Sequence, residues 1–105
     1  MAKFVLDPAP TFKAPVEIPV HGGNATPVVF EFKHRSRDEM LKLSDRANGG
    51  ELNELDSVLE VAVGWELDDP FNAESIEKLL QNYQGAGHAV IRKYLEEIRQ
   101  ARLGN

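Results

Sequence analysis

Apolar and polar positions alternate over residues 12–20. Phe12, Ala14, Val16, Ile18 and Val20 fall on one side, and Lys13, Pro15, Glu17 and Pro19 on the other. A period of two predicts a strand. Its two prolines restrict it to a sheet edge, because each leaves a ladder position without a donor. Val28, Phe30 and Phe32 share one face of a second run ending at Lys33. The glycine-rich connection His21-Gly22-Gly23-Asn24-Ala25-Thr26-Pro27 between the runs predicts a β-hairpin with a longish loop. A lone hairpin is marginal in water, so its apolar face must pack on other elements.

After residue 35 the period changes. Ser36-Arg37-Asp38-Glu39 has the spacing of a capping box. It opens a helix carrying Met40, Leu41, Leu43 and Ala47, which stops at Asn48-Gly49-Gly50. Leu52, Leu55, Val58, Leu59, Ala62 and Trp65 mark the stripe of a second helix. Asp68-Asp69-Pro70 breaks it. Asn72 is the expected cap of a third helix, with Phe71 and Ile76 at the spacing of a hydrophobic staple. Ile76, Leu79, Leu80 and Tyr83 form its stripe. Gly85-Ala86-Gly87 is the next break. A fourth helix buries Val90, Ile91, Tyr94, Leu95 and Ile98, and Arg99 and Arg102 suit the negative pole at its end. Residues 1–11 predict an extended tail, since Asp7-Pro8-Ala9-Pro10 cannot enter a helix interior.

These 105 residues, 42% hydrophobic, suit one domain with a small core. The absence of cysteine excludes disulfides, thiolate metal sites and a cysteine nucleophile, and fits a reducing cytoplasm. No apolar run approaches the roughly 20 residues of a membrane span, and the N-terminal one is too short for a signal peptide. The net charge of −5 is uneven: residues 38–83 hold three Lys/Arg against twelve Asp/Glu, while the flanking segments are each net +2. So acidic a middle argues against phosphate contact there and suits a partner with a basic surface, or simply a solvated set of helix faces.

Candidate chemistry is sparse. His21-Gly22-Gly23-Asn24 lacks Walker spacing and lies between strands, so it reads as a turn. His21, His34 and His88 lack metal-ligand spacing. Glu66, Asp68 and Asp69 lack the glycine and distal glutamate of a calcium loop. No serine has a nucleophile-elbow context. Lys33-His34-Arg35-Ser36-Arg37 is short and isolated, and reads as a strand-to-helix junction with solvated charges. No catalytic, cofactor or metal residue is expected. Among the aromatics, Phe71 and Tyr83 are expected in the core. Trp65, at a helix end beside an acidic turn, fits core and contact roles equally.

The ordered series Trp65, Asp68-Asp69, Phe71-Asn72, Leu79-Leu80 and Tyr83, then Tyr94-Leu95 and Ala101-Arg102-Leu103-Gly104-Asn105, resembles the phage tail assembly chaperones. These are small proteins of long-tailed phages and prophages. With the hairpin, the resemblance covers roughly residues 12–105. It departs at Gln84, where a proline is common, and at Leu67, where a small-residue turn is common. It implies no catalytic residues. It implies binding to the tape measure protein, which is held soluble until tail tube subunits polymerise around it, in the cytoplasm of the bacterial host. In several such families ribosomal frameshifting makes a longer form, and Gly104-Asn105 is a residue pair that a −1 slippery heptamer, G-GGA-AAC, encodes; the alternative is a simple stop after the helix end. Other codons there would exclude that form.

The expectation is therefore an α+β, mainly α domain: an N-terminal hairpin over 12–33, then about four helices over 37–103 in a small bundle. Residues 1–11 form a tail, and 12–105 the domain. Trp65, Asp68, Asp69 and Leu103 are the expected partner-binding residues. Self-association through the hairpin edge or an exposed helix stripe is a further expectation. Two other readings stand behind the chaperone: a virion connector or other phage structural adaptor, and a small nucleic-acid-binding regulator using Lys33 to Arg37.

Overall fold

The computed structural model of the protein describes residues 4–99. β1 (Thr11–Pro19) and β2 (Ala25–Lys33) pair antiparallel from Thr11↔Lys33 to Pro19↔Ala25. The alternation holds along β1: Ala14, Val16 and Ile18 are buried, and Lys13, Pro15, Glu17 and Pro19 are exposed. β2 begins three residues earlier than the apolar run from Val28 suggests. Pro27 is tolerated inside it because the next strand pairs only farther along, at Phe30 to Phe32. The connection is correspondingly tight, and Gly22 and Gly23 both sit at φ near +90° (93° and 92°), a region that favours glycine.

The main departure from the sequence reading is a third strand. α1 spans Arg37–Asn48 and α2 spans Glu54–Val61, but Ala62–Trp65 is β3, antiparallel to β2, so the stripe through Trp65 is not one helix. The sheet order is β1-β2-β3, which leaves proline-bearing β1 at an edge, as expected. The register explains the misreading. Phe32 faces Ala62, Glu31 faces Gly64, and Phe30 faces Trp65. Val63 is thus a bulged extra residue, and it is exposed. The bulge turns residues 62 and 65 to the same face, so a strand carries the three-residue spacing of a helix stripe. Gly64 and the β-branched Val61 and Val63 disfavour continuing the helix.

α3 (Ala73–Asn82) and α4 (Ala86–Arg99) complete the chain. The break before α4 is shorter than Gly85-Ala86-Gly87, since Ala86 and Gly87 are already helical. A Cβ at Gly85 would lie 3.1 Å from the Pro19 ring, so this turn closes tightly over the end of β1. α4 packs on β1, and α2 packs against β2, β3, α3 and α4. Their shared core joins Val16, Ile18, Phe30 and Phe32 of the sheet to Val58, Ile76, Val90 and Tyr94.

The helices form a bundle only in part. Of the described residues 46% are helical, and the sheet with α2, α3 and α4 makes two layers. α1 stands aside with Met40 as its one buried residue, while Leu41 is 60% exposed. Its capping box forms as expected: Glu39 N donates to Ser36 Oγ at 3.2 Å, and Ser36 N donates to the Glu39 carboxylate at 2.8 Å. The Ser36 backbone N–H first, and the Ser36 hydroxyl second, hold the Glu39 carboxyl below its ordinary value.

Arg35 is not the solvated charge expected at this junction. Its guanidinium donates to Tyr94 Oη at 3.2 Å and to Glu60 Oε1 at 2.9 Å. Glu60 also pairs with Arg46 of α1 at 3.1 Å. One carboxylate thereby ties the junction and α1 to α2.

Candidate partner-binding surface

At the end of β3, Trp65 leaves the sheet half-buried. Its ring stands edge-on to Phe30 (centroids 5.7 Å apart, 84°) and to Phe71 (5.1 Å, 85°). Such perpendicular pairs suit the ring quadrupoles. The indole Nε1 donates to the Asp69 carbonyl at 2.8 Å and closes the acidic turn beneath the ring. Glu66, after the ring, bonds back to the sheet: its N–H donates to Val29 O at 2.9 Å, and its carboxylate meets Lys13 at 3.4 Å. α3 then starts where Asn72 Oδ1 accepts from Ser75 N at 2.8 Å. Phe71, one residue earlier, packs against the core that contains Ile76.

This geometry leaves an open cleft of about 550 Å³ between the 65–70 turn and α3. Trp65, Leu67, Pro70, Leu79 and Tyr83 give it apolar surface, and Asp69, Glu74 and Lys78 stand along it. Leu67 is 42% and Tyr83 is 38% exposed. Tyr83 is therefore not a core residue. It is the C-cap of α3, at φ −130° and ψ 89°, and there the chain leaves the helix and its apolar stripe.

Of the expected contact residues, Trp65 and Asp69 line the cleft. Asp68 is exposed in the same turn but does not line it. Leu103 lies outside the described residues. Leu67, Leu79 and Tyr83 were not singled out for contact by the sequence reading. Leu67 carried a usable signal, being a lone leucine between Glu66 and Asp68 with no periodic partner. Leu79 and Tyr83 carried none, because helical spacing assigns both to the core.

Nothing in the cleft forms a reacting constellation. Among the described residues no three His, Cys, Asp or Glu side chains are placed to hold a metal ion. Among them, too, no helix is long and apolar enough to cross a membrane. Tyr94, a titratable side chain with no exposed surface, lies in the core. Burial raises its phenol above the ordinary 10.0, against the lowering effect of the Arg35 hydrogen bond.

A family model described as phage tail assembly chaperone matches residues 1–105. The chain belongs to that family. No curated protein and no solved structure matches it. Membership accords with the resemblance carried by Trp65, Asp68-Asp69, Phe71-Asn72 and Tyr83. It implies phage tail proteins as partners of this chaperone.

Proposed function

We propose that this chaperone acts without catalysis, holding the tape measure protein soluble in the cytoplasm of the bacterial host until tail tube subunits assemble around it. The observation that supports this reading is the Trp65–Tyr83 cleft. A tape measure is a long helical chain, and its unassembled apolar stripes aggregate. A cleft with an indole, two leucines and a tyrosine, open along one side, suits the apolar face of such a helix. Asp69 and Glu74 on its walls, with Asp68 beside it, favour a helix with basic flanks and exclude acidic ones. Release is built into the same geometry. The cleft is open to solvent and partly polar, so binding is weak enough to yield as the tube forms. Tube subunits are then recruited to a tape measure presented extended rather than aggregated.

Co-expression tests the reading. The tape measure protein of the same phage is expected to stay soluble with the wild-type chain. It is expected to pellet with a Leu67→Ser/Tyr83→Ser variant that folds normally. Equal solubility with both would remove the cleft from the function.

A further inference from the structure

The tail ahead of β1 exposes three consecutive apolar side chains: Phe4 at 90%, Val5 at 62% and Leu6 at 88%. Scattered surface leucines need no explanation, but an extended run this bare has the form of a binding segment. It is flanked by opposite charges, Lys3 before it and Asp7 after it. The Trp65–Tyr83 cleft carries the complementary set, with apolar surface from Trp65, Leu67, Leu79 and Tyr83, acids at Asp69 and Glu74, and a base at Lys78.

The tail of the same copy leads elsewhere. Pro10 O accepts from His34 N at 2.8 Å, which fixes the tail at the open end of the hairpin. There it borders a hollow formed with Phe12, His34 and Ile98, and this hollow shares no residue with the cleft.

We infer that the Phe4-Val5-Leu6 segment of one copy docks in the Trp65–Tyr83 cleft of a second copy. The order of charges along the segment, base then acid, matches the acids and the base of the cleft. Exchange of tails in both directions gives a two-fold dimer in which each copy is donor and acceptor. The dimer hides both apolar surfaces of the empty chaperone, and an apolar helix of the tape measure displaces the tail. The inference rests on the reading of the cleft as a peptide-binding surface.

The cleft contains the only tryptophan of the chain, so docking is read directly. The full chain is expected to dimerise with concentration in sedimentation equilibrium, with Trp65 emission moving to shorter wavelength. Phe4→Ser/Val5→Ser/Leu6→Ser lies outside the core, so this variant is expected to fold, remain monomeric and keep the long-wavelength emission. A peptide of residues 1–10 added to it is expected to restore the shift, and to bind an Asp69→Lys/Glu74→Lys cleft at least tenfold more weakly. Dimerisation unaffected by the triple substitution, a full chain monomeric at every concentration, or a peptide that leaves Trp65 unchanged would each overturn the inference. The triple variant still holds the tape measure soluble if the proposed function is right. Failure of that assay with normal peptide docking would strike the function alone, and success without docking would strike the tail alone.

Discussion

Two aromatic clusters sit at opposite ends of one continuous line of rings, and their surroundings differ. At one end Tyr94 and Phe32 are fully buried, with centroids 5.5 Å apart, and Phe12 stacks on Tyr94 at 6.3 Å. The Tyr94 hydroxyl is matched by Arg35. At the other end Trp65 and Phe71 are half-buried, with Tyr83 exposed across the cleft. Phe30 joins the two, touching Phe32 at 6.0 Å and Trp65 at 5.7 Å. The sealed end holds the sheet to α4. The open end is built on the same core, but its apolar surface is left uncovered. The same residue types thus serve stability where helix α4 covers them and, in the proposed function, recognition where β3 and the acidic turn leave them uncovered.

Substitutions at each end separate these roles. Tyr94→Ala should have the largest effect, on the order of 3–5 kcal/mol lost from denaturant unfolding, because it empties a sealed site and removes one of the two partners of the Arg35 guanidinium. In a domain of this size that is a large share of total stability. Trp65→Ala should cost less, about 2 kcal/mol, since the ring is half in solvent before the change. Its partner binding should nevertheless fall far more than that of any variant at the sealed end that still folds.

The alkaline pH response should come from the sealed end. The folded state holds the Tyr94 proton more tightly than the unfolded state, whose phenol titrates near 10.0. Stability from this difference is complete below that value and is lost as pH rises above it. Urea midpoints between about pH 9 and 11 should therefore fall more steeply for the wild type than for Tyr94→Phe. Below about pH 4.5 the opposite sign holds for Glu39: its stabilising bond to Ser36 is lost as its depressed carboxyl takes up a proton. Leu67→Ser and Tyr83→Ser should be smallest in stability, within about 0.5 kcal/mol of wild type, while abolishing capture of the tape measure.

The two ends were not equally legible in the sequence. Strict alternation identified β1 and its buried face, the Ser36/Glu39 pair identified one cap, and Asn72 with the staple spacing of Phe71 and Ile76 identified another. Tyr94 was correctly assigned because it lies mid-helix, where a 3.6-residue period maps onto a face. The open end defeated periodicity twice. The bulge at Val63 gave a strand the spacing of a helix, and the C-cap conformation at Tyr83 took an apparently periodic residue off its stripe. Both are local backbone departures that depend on tertiary pairing, with β2 in one case and the α3–α4 turn in the other. Arg35 was misread for a related reason: its partners, Glu60 and Tyr94, are 25 and 59 residues away.

The most direct test of the cleft as the chaperone surface is a titration of Trp65 fluorescence with an apolar helical segment of the tape measure protein. The account predicts a saturable shift to shorter wavelength that is lost with Leu67→Ser/Tyr83→Ser. A segment that this chain keeps soluble while Trp65 emission stays unchanged would contradict it.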